Sequence, residues 1–198
     1  MTGKALTSKE IIQRQQMVLR ANPQKFAMWL FIATVMMLFA AFTSAYIVRQ
    51  SQGDWLLVDL PQMFWYNSGL IILSSITMHW AWVSAKKDNF ALLRLAIVLT
   101  TMLGVGFMVG QFYAYAEMVD NNFVFVGNNI NASFIYVITF VHVVHLLSAV
   151  IFLLIVLYAA FTMNIHSKKL ARLEMCVTYW HFLGGLWIYL FMFLYLNQ

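Results

Sequence analysis

Apolar positions along this chain come in long unbroken runs, without the one-faced or alternating patterns of a soluble fold. Five such runs, 26–49, 63–85, 90–118, 131–162 and 173–196, are separated by short polar connections. Each has at least the ~20 residues that a helix needs to cross a hydrocarbon layer about 30 Å thick. Helices are the predicted spans, because a helix satisfies its own backbone in lipid and the short alternating strands of a barrel are missing from the sequence. The expected fold is an all-α membrane protein, a bundle of five transmembrane helices.

Charge gives the bundle a direction. Of the 12 Lys and Arg, 11 fall on one side: Lys4, Lys9, Arg14, Arg20 and Lys25 before the first run, Lys86, Lys87 and Arg94 around the second connection, and Lys168, Lys169 and Arg172 in the fourth. The opposite connections carry Arg49, Asp54 and Asp59 in one and Glu117 and Asp120 in the other. By the positive-inside rule the amino terminus is cytoplasmic and the carboxyl terminus periplasmic, as an odd number of spans requires. The expected location is the bacterial inner (cytoplasmic) membrane, as a multi-pass protein. The net charge of +5 then reflects topology and anionic headgroups, which excludes nucleic acid as a partner.

Composition agrees, since only 10% of residues are charged against about 25% in soluble domains. Residues 1–25 read as a cytoplasmic N-terminal segment with no cleavable leader, and Thr7-Ser8-Lys9-Glu10 as a capping box opening a short helix that Asn22-Pro23 ends. Residues 26–198 read as one five-helix domain. The single Cys176 allows no internal disulfide and reads as apolar filler. Gly104, Gly106 and Gly110, with Ser74, Ser75 and Thr77, predict close helix contacts. Trp55, Trp65, Tyr66, Tyr113, Tyr115 and Tyr195 predict interfacial anchors at the outer ends.

Chemistry is expected at ionisable residues inside the membrane, which are costly there and normally face a bundle interior. These are His79, Glu117, His142, His145, Glu174 and His181. His145 lies twelve residues from Ser133 and His181 seven from Glu174, so the two should share a level on neighbouring antiparallel helices. His142 and His145 share one face, and Glu174 and His181 another. Two readings follow: a bis-histidine haem or metal site, or a neutral histidine pair hydrogen-bonded between helices. Carboxylates for a di-metal site are not within reach of the histidine level, which favours the second.

At this point a resemblance emerges. The segment FIYVITFVHVVHLLSAVIF (134–152), followed by LEMCVTYWHFLGGLWIYLFMFLY (173–195), resembles subunit III of the haem-copper oxidases, of the cytochrome c oxidase type. That family carries H-x-x-H in one helix and E-x6-H within an aromatic-W-H-F setting in its last helix, matched by His142, His145, Glu174, Tyr179, Trp180, His181 and Phe182. The first run, MWLFIATVMMLFAAFTSAY (28–46), is similar to the family's first shared helix, and Gln111, Tyr115 and Glu117 match Q-x3-Y-x-E. Two family carboxylates are replaced, by Val35 in the first run and Gly184 in the last, so roles given to those carboxylates do not transfer. Five spans correspond to the family's shorter bacterial form, without the two leading helices that help enclose a lipid-filled cleft.

The resemblance implies a non-catalytic subunit of a proton-pumping terminal oxidase. It would pack on catalytic subunit I, beside electron-entry subunit II, with other respiratory complexes as further candidate partners, and support proton uptake, lipid placement and sustained turnover. No catalytic, cofactor or metal residues are expected in this chain. Haem and copper would reside in the partner subunits, and bound phospholipid is expected. His142, His145, Glu174, Trp180, His181, Gln111 and Glu117 would form a structural polar network. Alternatives are subunit III of a quinol oxidase, a subunit III-like protein of a nitric oxide reductase and, more distantly, a standalone membrane cytochrome b or transporter.

Overall fold

The computed structural model describes residues 23–53, 60–121, 123, 130–161 and 167–197, with side chains in the last segment from Arg172 onward. The capping box at Thr7 to Glu10, Trp55, and most of the outer connection after Asn121 lie outside these residues. Five helices follow in order: α1 Pro23–Gln50, α2 Met63–Lys86, α3 Phe90–Asp120, α4 Ile130–Phe161 and α5 Ser167–Leu196. Pro23 occupies the first position of α1, where its missing N–H costs nothing and its fixed φ suits the helix. Between α2 and α3 the chain turns within three residues. Lys87 caps α2, Asp88 takes a left-handed φ of 53°, and the Asn89 side chain accepts from Leu92 N at 3.3 Å to start α3.

Four of the helices are long and apolar enough to cross a membrane: α1, α3, α4 and, from Arg172 onward, α5. α2 is 24 residues long but diluted by Asn67, Ser68, Ser74, Ser75, Thr77, His79 and Ser84. Those polar residues have a structural reason. Asn67, Ser68, Ser74 and Ser84 are buried with Phe64, Ile71, Met78, Ala81 and Ala85, so these polar groups that lower its hydropathy face protein, whereas Ser75 and Thr77 are half-buried and His79 is exposed.

Helices α2, α3, α4 and α5 close in a ring, each packed on the next, and α1 lies outside the ring against α4 and α5. Sequential helices are therefore neighbours except α1 and α2. Their dozen-residue connection can reach about 40 Å, which leaves α2 free to pack elsewhere. α1 buries one stripe at helical spacing, Ile32, Val35, Phe39, Thr43 and Tyr46, while Trp29, Met36, Met37 and Val48 on its other faces are exposed.

Small residues set the helix approaches, since apolar burial gives helices in lipid no net drive to associate and packing decides. A Cβ at Gly104 would lie 2.7 Å from the Trp180 ring, and one at Gly110 would overlap the Asn67 side-chain amide. Gly106 corrects the expected glycine face: a Cβ there would meet nothing, because it points away from the Gly104–Phe107–Gly110–Gln111 stripe. Ser74 is fully buried and Ser75 half-buried. Among the expected anchors Trp65, Tyr66, Tyr113 and Tyr195 are exposed. Tyr115 instead turns inward, its hydroxyl 3.0 Å from Thr139 Oγ1 on α4.

Candidate functional site

Several polar side chains inside the bundle are deployed as cross-links between helices. Trp180 and Trp187 lie seven residues apart on α5, two turns along one face. Each indole N–H donates to a serine of α2, Trp180 to Ser74 at 3.2 Å and Trp187 to Ser68 at 3.1 Å. The serines can accept because their own hydroxyls donate to the α2 backbone, Ser68 to Phe64 O and Ser74 to Ile71 O, both at 2.8 Å. Thr77 and Thr100 join α2 to α3 at 2.8 Å, and Ser148 and Tyr179 join α4 to α5 at 2.9 Å. At the other end of α4, Arg94 Nε donates to Ala160 O at 3.2 Å.

α1 is tied at three depths. Lys25 Nζ meets Glu174 at 2.7 Å, Tyr189 reaches Thr43 Oγ1 at 3.4 Å, and the Tyr46 hydroxyl lies 2.9 Å from Asn131 Oδ1 and 3.0 Å from Asn197 O. Glu174 is thus the α5 partner of Lys25, a pairing that sequence spacing did not indicate.

The histidines separate into three environments. His142 is fully buried on the α4 stripe, its ring 5.3 Å from Trp187, 6.1 Å from Phe107 and 6.2 Å from Phe39. His145 sits toward α1, near Phe39 at 5.7 Å and Phe31 at 6.4 Å, with Nδ1 2.7 Å from Val141 O, which fixes the proton on Nδ1. His181 faces α2, with His79 at 6.3 Å, beside a groove of about 420 Å³ that Ser75, Gly184 and Gly185 also line.

The expected His145–His181 pair is thus not formed. Matching depth was insufficient, because azimuth decides. His181 follows the buried Trp180 by one residue, about 100° around α5 and toward α2, whereas His145 turns from the α4 stripe toward α1. The two rings occupy different helix seams, so the bis-histidine arrangement that a haem between them would require is not present. Among the described residues, no group of three or more His, Cys, Asp or Glu could hold a metal ion. Cys176 is buried on the α5 stripe.

Gln111 is fully buried on the α3 stripe, whereas Glu117, two turns nearer the end, is half-buried in the last turns, where its carbonyl accepts from Asn121 N. Sequence reading missed Asn67, which lies fully buried over Gly110. The available signal was antiparallel register: Thr77 bonds Thr100, and ten residues farther along each helix bring Asn67 to Gly110.

A ring of four packed helices with a fifth on its flank, polar groups turned inward and apolar groups outward, defines a multi-pass helical membrane protein. The chain belongs to the cytochrome c oxidase subunit III family, whose model matches residues 12–198. Among its relatives is cytochrome bo(3) ubiquinol oxidase subunit 3 of Buchnera aphidicola subsp. Schizaphis graminum, 25% identical over 89% of this chain and 95% of that protein. Cytochrome c oxidase subunit 3 of Synechocystis is 27% identical over 86% of this chain and 74% of that protein. The Aedes aegypti cytochrome c oxidase subunit 3 is 28% identical over 65% of this chain, which spans about half, 48%, of that longer protein. The resemblance carried by His142, His145 and the Glu174–His181 segment is therefore one of true family membership, and the chain is a subunit of a haem-copper oxidase complex.

Proposed function

We propose that this chain is the accessory third subunit of a bacterial cytochrome c oxidase. It packs on the catalytic subunit and supports proton uptake, lipid placement and sustained turnover without a redox centre of its own. The observation that carries this reading is the use of the polar residues. Trp180, Trp187, Tyr179 and Tyr115 each bond a neighbouring helix, and His145 and His181 face different seams, which supports a scaffold role. Haem and copper belong, on this reading, to the partner subunits, and phospholipid covers the exposed apolar faces. All five helices cross the membrane, α2 included, with the amino terminus cytoplasmic and the carboxyl terminus periplasmic.

A quinol oxidase is the second reading, and one observation favours it. The Buchnera relative, named for a ubiquinol oxidase, is matched over nearly its whole length, so its size is that of this chain. Purification of the native complex separates the two readings. A copper-bearing electron-entry subunit and oxidation of reduced cytochrome c support the first, whereas quinol oxidation without that copper supports the second. A complex without any haem-copper catalytic subunit would overturn both.

A further inference from the structure

One layer of the bundle remains unexplained by the cross-links. Asn67 on α2, Gln111 on α3 and His142 on α4 are each 1% exposed or less. The Asn67 amide nitrogen, both polar atoms of the Gln111 side chain and both ring nitrogens of His142 are buried without a hydrogen-bond partner from the protein. Leaving such groups unsatisfied costs on the order of 1–3 kcal/mol each, far more than a scaffold should carry at five neighbouring atoms.

Their common level follows from the bonds around them. Asn67 lies on Gly110, next to Gln111, and its other chain neighbour Ser68 accepts from Trp187. Trp187 in turn packs on the His142 ring. On the α3–α4 seam Tyr115 bonds Thr139, and one turn deeper on each helix come Gln111 and His142. All four helices of the ring therefore meet at this level. Direct pairing among the three side chains cannot satisfy them, because their unpartnered atoms carry more N–H donors than acceptor positions. What they lack is an oxygen that accepts and donates in several directions, which describes water in a polar protein interior.

We propose that Asn67, Gln111 and His142 form an internal water site, a hydrated layer enclosed by the α2–α5 ring and roofed by the Trp187 and Phe107 rings. Gly110 is part of the site, since any side chain there would displace the Asn67 amide that closes it. The site does not depend on which electron donor the oxidase uses.

Synchrotron hydroxyl-radical labelling of the native complex, read by mass spectrometry, tests the layer, because radicals generated from bound water oxidise adjacent rings that bulk solvent cannot reach. Trp180 is the internal control: it is as buried as Trp187, and its N–H is likewise held by a serine. The expected result is severalfold faster oxidation of Trp187 and Phe107 than of Trp180, falling to the Trp180 rate in Gln111→Met/His142→Phe. Equal rates in the unmodified complex would overturn the site, and that comparison stands even where the double variant does not accumulate. Faster Trp187 labelling that survives the double substitution would also overturn it, by placing the water elsewhere.

Discussion

At the residue scale, glycines and aromatic hydroxyl contacts divide the work unequally. A hydrogen bond between helices in a membrane averages only ~0.6 kcal/mol, because the unfolded helices also find partners there. Replacing Trp180 by Phe removes its bond to Ser74 but keeps most of the packing, so a small loss of stability is expected. Gly104→Ala forces a methyl to within 2.7 Å of that same ring and should cost more, of the order of the 1–3 kcal/mol seen for overpacking. Gly106→Ala, whose methyl meets nothing, should be neutral or slightly stabilising, because alanine favours helix. Thermal denaturation of the three variants in one mild detergent checks the order; a Gly106→Ala variant as damaged as Gly104→Ala would contradict it. These residues also mark how far the site could be read from sequence. The histidines, Glu174 and Gln111 were visible as polar groups in apolar runs. Their partners were not, since Lys25 precedes its run, Asn67 was one amide in a moderately polar segment, and one residue of azimuth sent His181 toward His79 rather than His145.

At the level of elements, run boundaries translated almost directly into helices. The first helix begins at Pro23 rather than residue 26, and the third ends at Asp120 rather than residue 118. Neighbour choice was less legible, because a lipid-facing residue and a core residue are both apolar, so hydrophobicity does not reveal which face is buried. The exceptions are small and polar residues: Ser74, Gly104 and Gly110 revealed contacts, and Gly106 misled because its neighbours carry the stripe. α1 is the element whose attachment is easiest to perturb, because it lies outside the ring and packs on α4 and α5 alone. The Lys25–Glu174 pair is 45% and 43% exposed, so Lys25→Ala should cost only about 0–1 kcal/mol. Tyr46 is fully buried between Phe134 and Phe193 as well as near Asn131 and Asn197, so Tyr46→Ala removes packing and hydrogen bonding together. Limited proteolysis or hydrogen exchange should therefore report a loosened α1 in Tyr46→Ala and little change in Lys25→Ala. Equal loosening in both would mean that the Lys25–Glu174 ion pair holds α1 more firmly than its exposure indicates.

For the whole molecule, the question is whether this bundle supports another subunit's redox chemistry or performs its own. The structure argues for support through what its polar groups face. His142 lies among Phe39, Phe107 and Trp187, His145 against Phe31 and Phe39, and His181 against His79, so His145 and His181, the axial pair that the sequence offered, occupy different helix seams. The interior between them is filled by Trp180 and Trp187, both 1% exposed, which leaves no porphyrin-sized space on the α5 stripe. The proposal that this chain carries no haem, copper or iron follows. Expressed without other subunits in haem-replete cells and extracted in mild detergent, it should give no stoichiometric Soret band and no bound copper or iron. Within the assembled oxidase, His181→Leu should then lower the yield or the durability of the complex while electron transfer to oxygen in the surviving complexes stays near normal. A Soret band that shifts on dithionite and vanishes in His145→Ala or His181→Ala would replace the scaffold with a membrane cytochrome, and the helix seams separating those two histidines would have to rearrange to build it.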